Sequence, residues 1–227
     1  MAPSFQFVTV HPEFMESYFR FGVFRAAQKK DLAHFKAIDL RDYAVDKHGS
    51  VDDHPYGGGD GMVLRPEPLR DAVAAFPSDR VIALTPTGTL WSQKEAIKFA
   101  GEPRSLTFVC GRFGGMDQRF IDQYVTDEYS LGDYILSGGE LAALSMVDSI
   151  LRLIPGVLGN LDSAKLDSFS EMLGGMLEYP LYTRPQIFES LEVPAVLLSG
   201  NHEKIAKWRL DQSLARTRLK RPDLLKD

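Results

Sequence analysis

Short apolar runs alternate with longer amphipathic stretches over the first half of the chain. Runs of four to seven residues that are rich in β-branched and aromatic side chains are typical of buried strands. The sequence has such runs at residues 5–10, 32–38, 81–84 and 106–110. Helical periodicity predicts helices over residues 14–29, 68–76 and 93–100. Strands that alternate with helices favour an α/β fold with a mostly parallel sheet.

The second half of the pattern predicts a change of domain. A short apolar run at 134–136 precedes a densely apolar helix over 140–154. Two segments, Ser92-x-x-Glu95 and Ser137-x-x-Glu140, have the spacing of a capping box at the start of a helix. Residues 157–169 are polar and irregular, which is typical of a linker. A final helix that Asn201 can cap is predicted to reach about Leu219. We therefore predict a sheet domain over 1–156, a flexible linker over 157–169 and a small, mainly helical C-terminal domain over 170–227.

Two of the apolar runs end in glycine within thirty residues of each other. The run at 106–110 breaks into Gly111, Gly114 and Gly115, and the run at 134–136 breaks into Gly138 and Gly139. Glycine lets main chain approach a ligand closely or adopt angles that a side chain forbids. In an open parallel sheet, ligands bind at the carboxyl ends of strands. Either pair alone is explained by an ordinary tight turn, but the two together predict neighbouring turns at one site.

Composition limits the class of protein. The chain has 227 residues, of which 44% are hydrophobic and 25% charged, as in an ordinary globular protein. No apolar run approaches the roughly 20 residues of a membrane helix, and residues 1–14 have no basic leader, so we expect a cytoplasmic protein without membrane contact. The single cysteine, Cys110, excludes intramolecular disulfides and cysteine-rich zinc sites.

Basic charge is concentrated near the C-terminal end. The net charge is −5, yet residues 201–221 contain seven basic and two acidic residues. On a helix, Arg209, Arg216 and Lys220 fall within about 40° of one another, and we expect Trp208, Ala215 and Leu219 to form a neighbouring packed face. Such a stripe is commonly a solvated charged face, but its lack of balancing acid favours phosphate binding.

Common catalytic motifs are absent from the sequence. There is no P-loop, HExxH or GxSxG, and residues 111–115 lack the GxGxxG spacing. The five histidines have no metal-ligand spacing. Residues 55–61 could form an anion-binding nest of backbone N–H groups or a flexible loop. By themselves these features indicate only an α/β protein with glycine-lined ligand loops and a basic C-terminal helix.

Several blocks of sequence together resemble the bacterial tRNA (guanine-N1)-methyltransferase family over nearly the whole chain. They are Val51-Asp52-Asp53 with residues 55–62, Cys110-Gly111-Arg112, residues 132–140, residues 154–159, Tyr182-Thr183-Arg184-Pro185 and Ser199-Gly200-Asn201-His202. The resemblance implies a SPOUT-type α/β fold with a deep trefoil knot in its mostly parallel sheet domain, a small helical C-terminal domain, and a homodimer.

The resemblance also implies a cofactor and a substrate. S-adenosylmethionine would bind in the knot, mainly through backbone groups, and N1 of the tRNA guanine at position 37, 3′ of the anticodon, would be methylated. The cofactor contacts would be Leu84, Thr85, Pro86, Gly111, Gly115, Leu131, Gly132, Asp133, Tyr134, Ile135, Leu136, Gly138 and Gly139. The tRNA contacts would be Tyr56, Gly57, Gly58, Ser163, Arg184, His202, Arg209, Arg216 and Lys220.

The catalytic residues that the resemblance implies are Asp167 and Arg152. Asp167 would accept the N1 proton, and Arg152 would stabilise negative charge that develops on guanine O6. Without the resemblance, Asp167 reads as a solvated loop carboxylate, and Asp148 and Arg152, spaced i, i+4, read as a local ion pair.

Three departures from the family leave alternatives open. Gly114 stands where a glutamate associated with magnesium and the methyl-donor pocket is usual, so the magnesium requirement stays open. Ala83 and Thr87 replace a common tyrosine and glutamine. One alternative is therefore a weak or inactive relative that binds S-adenosylmethionine or RNA without turnover. Another is an enzyme that methylates ribosomal RNA.

Overall fold

The computed structural model describes residues 2–102, 105–159 and 166–225. The chain divides into two compact units, Met1–Gly159 and Asn160–Asp227. Residues 160–165 of the predicted linker, with the proposed tRNA contact Ser163, lie outside the described residues. Within the described part, no helix combines the length and the apolar character that a membrane crossing demands.

The first unit is built on a five-stranded parallel sheet with the strand order β2-β1-β6-β5-β7. The predicted α/β class with a mostly parallel sheet is confirmed. A two-stranded antiparallel ribbon, β3 with β4, flanks the glycine-rich residues 55–61. The strands of this unit are β1 (Ser4–Thr9), β2 (His34–Asp39), β3 (Asp52–Asp53), β4 (Val63–Leu64), β5 (Arg80–Leu90), β6 (Ser105–Val109) and β7 (Asp127–Ser130).

Helices cover both faces of this sheet. They are α1 (Pro12–Phe19), α2 (Gly22–Lys29), α3 (Pro66–Ala75), α4 (Gln93–Gly101), α5 (Gln118–Tyr124) and α6 (Glu140–Leu151), with a short 3-10 turn at Leu40–Tyr43. The single helix predicted over 14–29 is wrong, because the chain breaks at Phe21, whose backbone is extended. Gly22 then adopts a left-handed φ of 52°, which glycine tolerates without steric penalty.

Alternating residues of the central strands build two hydrophobic cores. Phe5 and Phe7 of β1 join one cluster, which includes residues of α1, α2, α4 and α6. Val8 and Val10 join the other, which includes residues of α3 and α5. Successive side chains of a strand point to opposite faces, so the alternation puts helices on both sides of the sheet. A central strand such as β1 is therefore buried at every position after Ser4, including the polar residues Gln6 and Thr9.

Two strand predictions near the glycine turns need correction. The strand predicted over 81–84 is too short, because β5 continues to Leu90 with a register shift between Leu84 and Thr89. Residues 134–136 were predicted as a strand, yet they are irregular and their side chains are exposed. The described sheet ends at β7, and the run at 134–136 does not pair with it.

The two predicted capping boxes have different outcomes. At α4, the Ser92 hydroxyl accepts a hydrogen bond from the backbone N–H of Glu95 at 3.4 Å, so this cap is confirmed. At α6 the predicted cap is wrong, since Gly139 is the N-cap residue and no side chain caps the helix. The carboxylate of Glu140 points into the protein instead, where it has partners that are described below.

The second unit contains short elements and one long helix. They are a 3-10 turn (Glu171–Leu173), β8 (Ile187–Phe188), β9 (Leu191–Glu192), α7 (Ala195–Leu198), α8 (His202–Lys220) and a second 3-10 turn (Pro222–Leu225). Strands β8 and β9 form an antiparallel pair. The predicted final helix is confirmed, and the Asn201 side chain accepts from the backbone N–H of Lys204 at 3.0 Å.

The packed face of α8 differs from the predicted one. Ser213 and Thr217 are the buried residues, whereas Ala215 and Leu219 are exposed. The Thr217 hydroxyl accepts from the backbone N–H of Leu177 at 3.0 Å and donates to the Ser213 carbonyl at 2.7 Å. This helix packs through small polar residues and hydrogen bonds, so a pattern of apolar positions could not identify its inner face.

Candidate ligand-binding site

A cavity of about 270 Å³ opens where β6 and β7 end and where β5 shifts register. Twelve of the thirteen predicted cofactor contacts line it, while Asp133 lies in the same loop with its side chain exposed. The structure thus brings three separate stretches of sequence to one site at the carboxyl edge of the sheet. The lining residues that were not predicted are Arg112, Phe113, Gly114, Tyr129, Ser130, Ser137 and Ala142.

The two glycine turns lie against each other, as the doubled glycines predict. The backbone N–H of Gly139 donates to the carbonyl of Gly111 at 2.9 Å. A Cβ on Gly139 would lie 2.8 Å from the Cα of Cys110, closer than real Cβ atoms approach backbone. A Cβ on Gly138 would lie 2.2 Å from Nε of Arg112. Glycine is therefore required at 138 and 139 by the close approach of the turns.

A buried ion pair connects these turns to the core. Glu140, the first residue of α6, is 1% exposed. Its carboxylate accepts from Nε of Arg112 at 3.1 Å and from the Thr9 hydroxyl at 2.7 Å, and Nη2 of Arg112 lies 3.0 Å from Oε2. Nη1 of Arg112 donates to the carbonyl of Ser137 at 3.2 Å. Arg112 therefore links both turns to the end of β1.

We expect Arg112→Gln to lower the free energy of unfolding by roughly 3 kcal/mol, because it leaves the buried carboxylate of Glu140 without its charged partner. Urea denaturation monitored by circular dichroism measures this change. Arg119→Gln is the matched control, since Arg119 pairs with Asp117 through a side chain that is 67% exposed, and we expect it to lower stability by less than about 1 kcal/mol. Equal losses in the two variants would contradict the structural role given to Arg112.

The first turn is held against the glycine-rich segment 55–62. The backbone N–H of Gly114 donates to the carbonyl of Met62 at 2.7 Å, and Leu64 N–H donates to the Gly115 carbonyl at 2.9 Å. A Cβ on Gly114 would lie 2.9 Å from that Met62 oxygen. The glutamate that the resemblance leads us to expect at position 114 therefore requires this contact to open. Gly114 fits this close contact with the Met62 carbonyl because it has no Cβ.

Two titratable side chains near the cavity, Cys110 and Tyr129, are held in their neutral forms. Burial raises the pKa of the Cys110 thiol, and the nearby Glu140 carboxylate raises it further. Burial also raises the pKa of Tyr129, together with the hydrogen bond that its hydroxyl donates to Glu95 at 2.7 Å. Neither side chain is prepared to act as an anionic nucleophile, so the cavity is suited to binding and positioning a ligand.

The predicted catalytic residues lie elsewhere in the chain. Arg152 follows the last residue of α6, whose first residue is at the cavity. At 1.5 Å per residue, Arg152 lies about 18 Å along the helix from Glu140. Burial raises the pKa of Asp148, one turn earlier, and the charge of Arg152 opposes that rise. Asp167 belongs to the second unit, in a turn where its carbonyl accepts from Ser170 N–H at 3.2 Å.

The predicted tRNA contacts form two exposed groups. Tyr56, Gly57 and Gly58 lie in the polar segment of the first unit, and Tyr56 is 97% exposed. In the second unit, His202 and Lys220 are the exposed ends of α8. Arg184, Arg209 and Arg216 also belong to this unit. Among the described residues, no three His, Cys, Asp or Glu side chains are grouped so that they could hold a metal ion.

Comparison with known proteins gives consistent results over almost the full chain. Residues 4–227 match the family model described as tRNA (Guanine-1)-methyltransferase TrmD. The tRNA (guanine-N(1)-)-methyltransferase of Syntrophotalea carbinolica is 52% identical over 225 residues, which cover 97% of this chain and 89% of that protein. Enzymes of the same name from Shouchella clausii and Bacillus subtilis are 49% and 47% identical, with 96% and 97% of this chain covered and 90% and 91% of theirs.

Proposed function

Because the chain belongs to the tRNA (guanine-1)-methyltransferase family, we propose that it transfers a methyl group from S-adenosylmethionine to N1 of the guanine at tRNA position 37. The observation that carries this proposal is the convergence of three stretches on one cavity: residues 84–86 and the glycine-containing residues 111–115 and 131–139. A tRNA substrate agrees with the cytoplasmic location expected from the sequence.

The residues of the cavity fit a methyl donor of this kind. Its wall is mostly backbone and apolar side chains, and the glycines at 111, 115, 138 and 139 allow main chain to approach a ligand. Leu84, Ile135 and Leu136 offer apolar surface for an adenine ring, while backbone N–H and C=O groups can read its edges. When bound, the sulfonium supplies an electrophilic methyl group. The protein's part is to hold the donor and to exclude water.

Methylation at N1 requires that the ring nitrogen lose its proton as the new N–C bond forms. We assign the acceptance of this proton to the carboxylate of Asp167, which becomes a carboxylic acid. The guanidinium of Arg152 would stabilise the negative charge that moves to O6 as N1 is deprotonated. Both assignments rest on the family, since neither residue lines the cavity.

The position of Arg152 supports the proposed homodimer. One copy of the chain separates Arg152 from its own cavity by the length of α6, about 18 Å. Its neighbours Ile150 and Ile154 line a second cavity together with Phe5 and Leu106. Phe5 and Leu106 lie near the amino ends of β1 and β6, whereas the ligand cavity is at the carboxyl edge of the sheet. We therefore infer that an arginine acting at the methyl-transfer site is supplied by a second copy. We also propose, from the family, that the chain around the cavity forms a deep trefoil knot.

A methyl-transfer assay on unmodified tRNA tests this function. We expect N1-methylguanine to form on tRNA with guanine at position 37 and to be absent when that guanine is replaced by adenine. Running both reactions with and without magnesium determines whether the metal is needed despite Gly114. Absence of product at high enzyme concentration would favour the weak or inactive relative, and methylation of ribosomal RNA alone would identify a different substrate.

A further inference from the structure

The second unit contains a groove of its own, and two of its lining residues, Arg184 and Arg209, are among the predicted tRNA contacts. Its volume is about 790 Å³, and all of its lining residues belong to the unit Asn160–Asp227. Three aromatic side chains, Tyr179, Tyr182 and Trp208, line it together with Arg184 and Arg209. We propose that this groove binds an unpaired nucleotide of the RNA substrate, with the base stacked on the aromatic side chains and the phosphate near Arg184. The proposal rests on the proposed RNA-modifying function.

The aromatic side chains are arranged so that a flat ring can contact them. The centroids of Tyr182 and Trp208 are 6.4 Å apart and their planes meet at 53°, so the two rings form a wedge and do not stack face to face. Tyr182 is 49% exposed, so part of its ring surface has no protein contact. Leu197, Leu198 and Ile205 add apolar lining. Aromatic side chains accept any base by stacking, because every base has a π-face.

Arg209 places positive charge beside the aromatic side chains. Its guanidinium lies 4.8 Å from the centroid of the Tyr179 ring, within the range of a cation–π contact. Its Nε is buried and has no hydrogen-bond partner among the described residues. Because this atom has no exposed surface, Arg209 contributes to the groove through its positive charge, which suits a phosphate.

The charge of the groove favours a nucleotide over a peptide or a neutral ligand. Two arginines contribute to the lining, and none of the lining residues assigned in the described chain is acidic. Residues 201–221, which include one side of the groove, contain seven basic and two acidic residues although the whole chain is at −5. Arginine with aromatic side chains is the combination that binds single-stranded nucleic acid through stacking and phosphate contacts.

Tryptophan fluorescence can test the groove without any methyl transfer. The chain has two tryptophans, Trp91 and Trp208. We expect a single-stranded RNA heptamer to quench the emission of the full-length protein, and we expect the quench to disappear in Trp208→Phe. Tyr182→Ala should weaken heptamer binding about tenfold, whereas Tyr182→Phe, which keeps the ring, should change it less than twofold. Arg184→Ala should lower the slope of log affinity against log salt by about one.

Several outcomes would overturn the proposal. They are a heptamer that leaves Trp208 emission unchanged, a Tyr182→Ala variant that binds like the wild type, and a duplex of the same sequence that binds as tightly as the single strand. Guanosine monophosphate that binds as tightly as the heptamer would show a site for free nucleotide and not for RNA. If the quench is intact but tRNA is not methylated, the proposed function fails and the groove assignment stands.

Discussion

Asp167→Asn is expected to abolish measurable methyl transfer to tRNA while S-adenosylmethionine binds nearly as in the wild type. Asparagine keeps the size of the side chain but cannot accept the N1 proton, and a positioned general base contributes about 10²- to 10⁴-fold to a rate. Donor binding should be preserved because Asp167 belongs to the second unit, whereas the cavity is formed within Met1–Gly159. Single-turnover methyl transfer and calorimetric titration with the donor measure the two quantities separately.

Asp211→Asn serves as the matched control for this substitution. Asp211 is an exposed carboxylate on α8 in the same unit, so its replacement removes the same charge without removing the proposed base. We expect turnover within about twofold of the wild type, as for surface substitutions in general. Normal turnover in Asp167→Asn would show that another group accepts the proton. A loss of donor binding that parallels the loss of turnover would indicate a structural role for Asp167.

Gly139→Ala should weaken S-adenosylmethionine binding at least tenfold and lower the free energy of unfolding by about 1–3 kcal/mol, as overpacking does. The added Cβ would lie 2.8 Å from the Cα of Cys110 and 3.1 Å from the backbone N of Gly111. Both neighbours are backbone atoms, so the two turns must move apart and the cavity between them must change shape. Calorimetric titration and urea denaturation test the two effects.

Gly101→Ala provides the control for the glycine substitution itself. A Cβ at Gly101 meets nothing within 4 Å, and Gly101 is the last residue of α4. Alanine there should raise stability by up to about 0.5–1 kcal/mol, because glycine loses more conformational freedom on folding. Donor binding should stay unchanged. If Gly139→Ala binds the donor like Gly101→Ala, then the contact between the two turns does not shape the site.

The central strands and most helices could be predicted because their buried positions are rich in apolar residues at the spacing of a strand or a helix. Residues 5–10 and 106–110 are largely apolar and all buried, since helices cover both faces of the sheet. The predictions were wrong where the conformation of a glycine or a polar contact, and not the burial of apolar residues, determines the structure. Gly22 allows a left-handed break between α1 and α2, and Ser213 with Thr217 forms the inner face of α8. Neither the helix break nor this inner face produces a periodic pattern of apolar residues.

The glycine turns show where sequence alone stops being informative. Doubled glycines at 111–115 and 138–139 predict close backbone approach, but spacing along the chain does not say what each glycine approaches. The structure shows that Gly139 contacts Cys110 and Gly111, and that Gly114 contacts Met62. The buried pair of Arg112 and Glu140 was not predicted as part of the site, because the spacing of Ser137 and Glu140 fits a capping box. In the structure Glu140 does not cap the helix and pairs with Arg112.

The sequence by itself determined the α/β class, the parallel sheet, the glycine-rich edge and, through several blocks in order, the family. The class, the sheet and the glycine-rich edge follow from local residue type and periodicity, whereas the family rests on the resemblance of those blocks. The resemblance groups residues 84–86, 111–115 and 131–139 as contacts of one cofactor, and the tertiary structure shows that they surround one cavity. Only the tertiary structure shows that α6 carries Arg152 about 18 Å away from that cavity. Contacts between residues distant in sequence depend on how the strands pair and where each helix ends, and no local pattern records those choices.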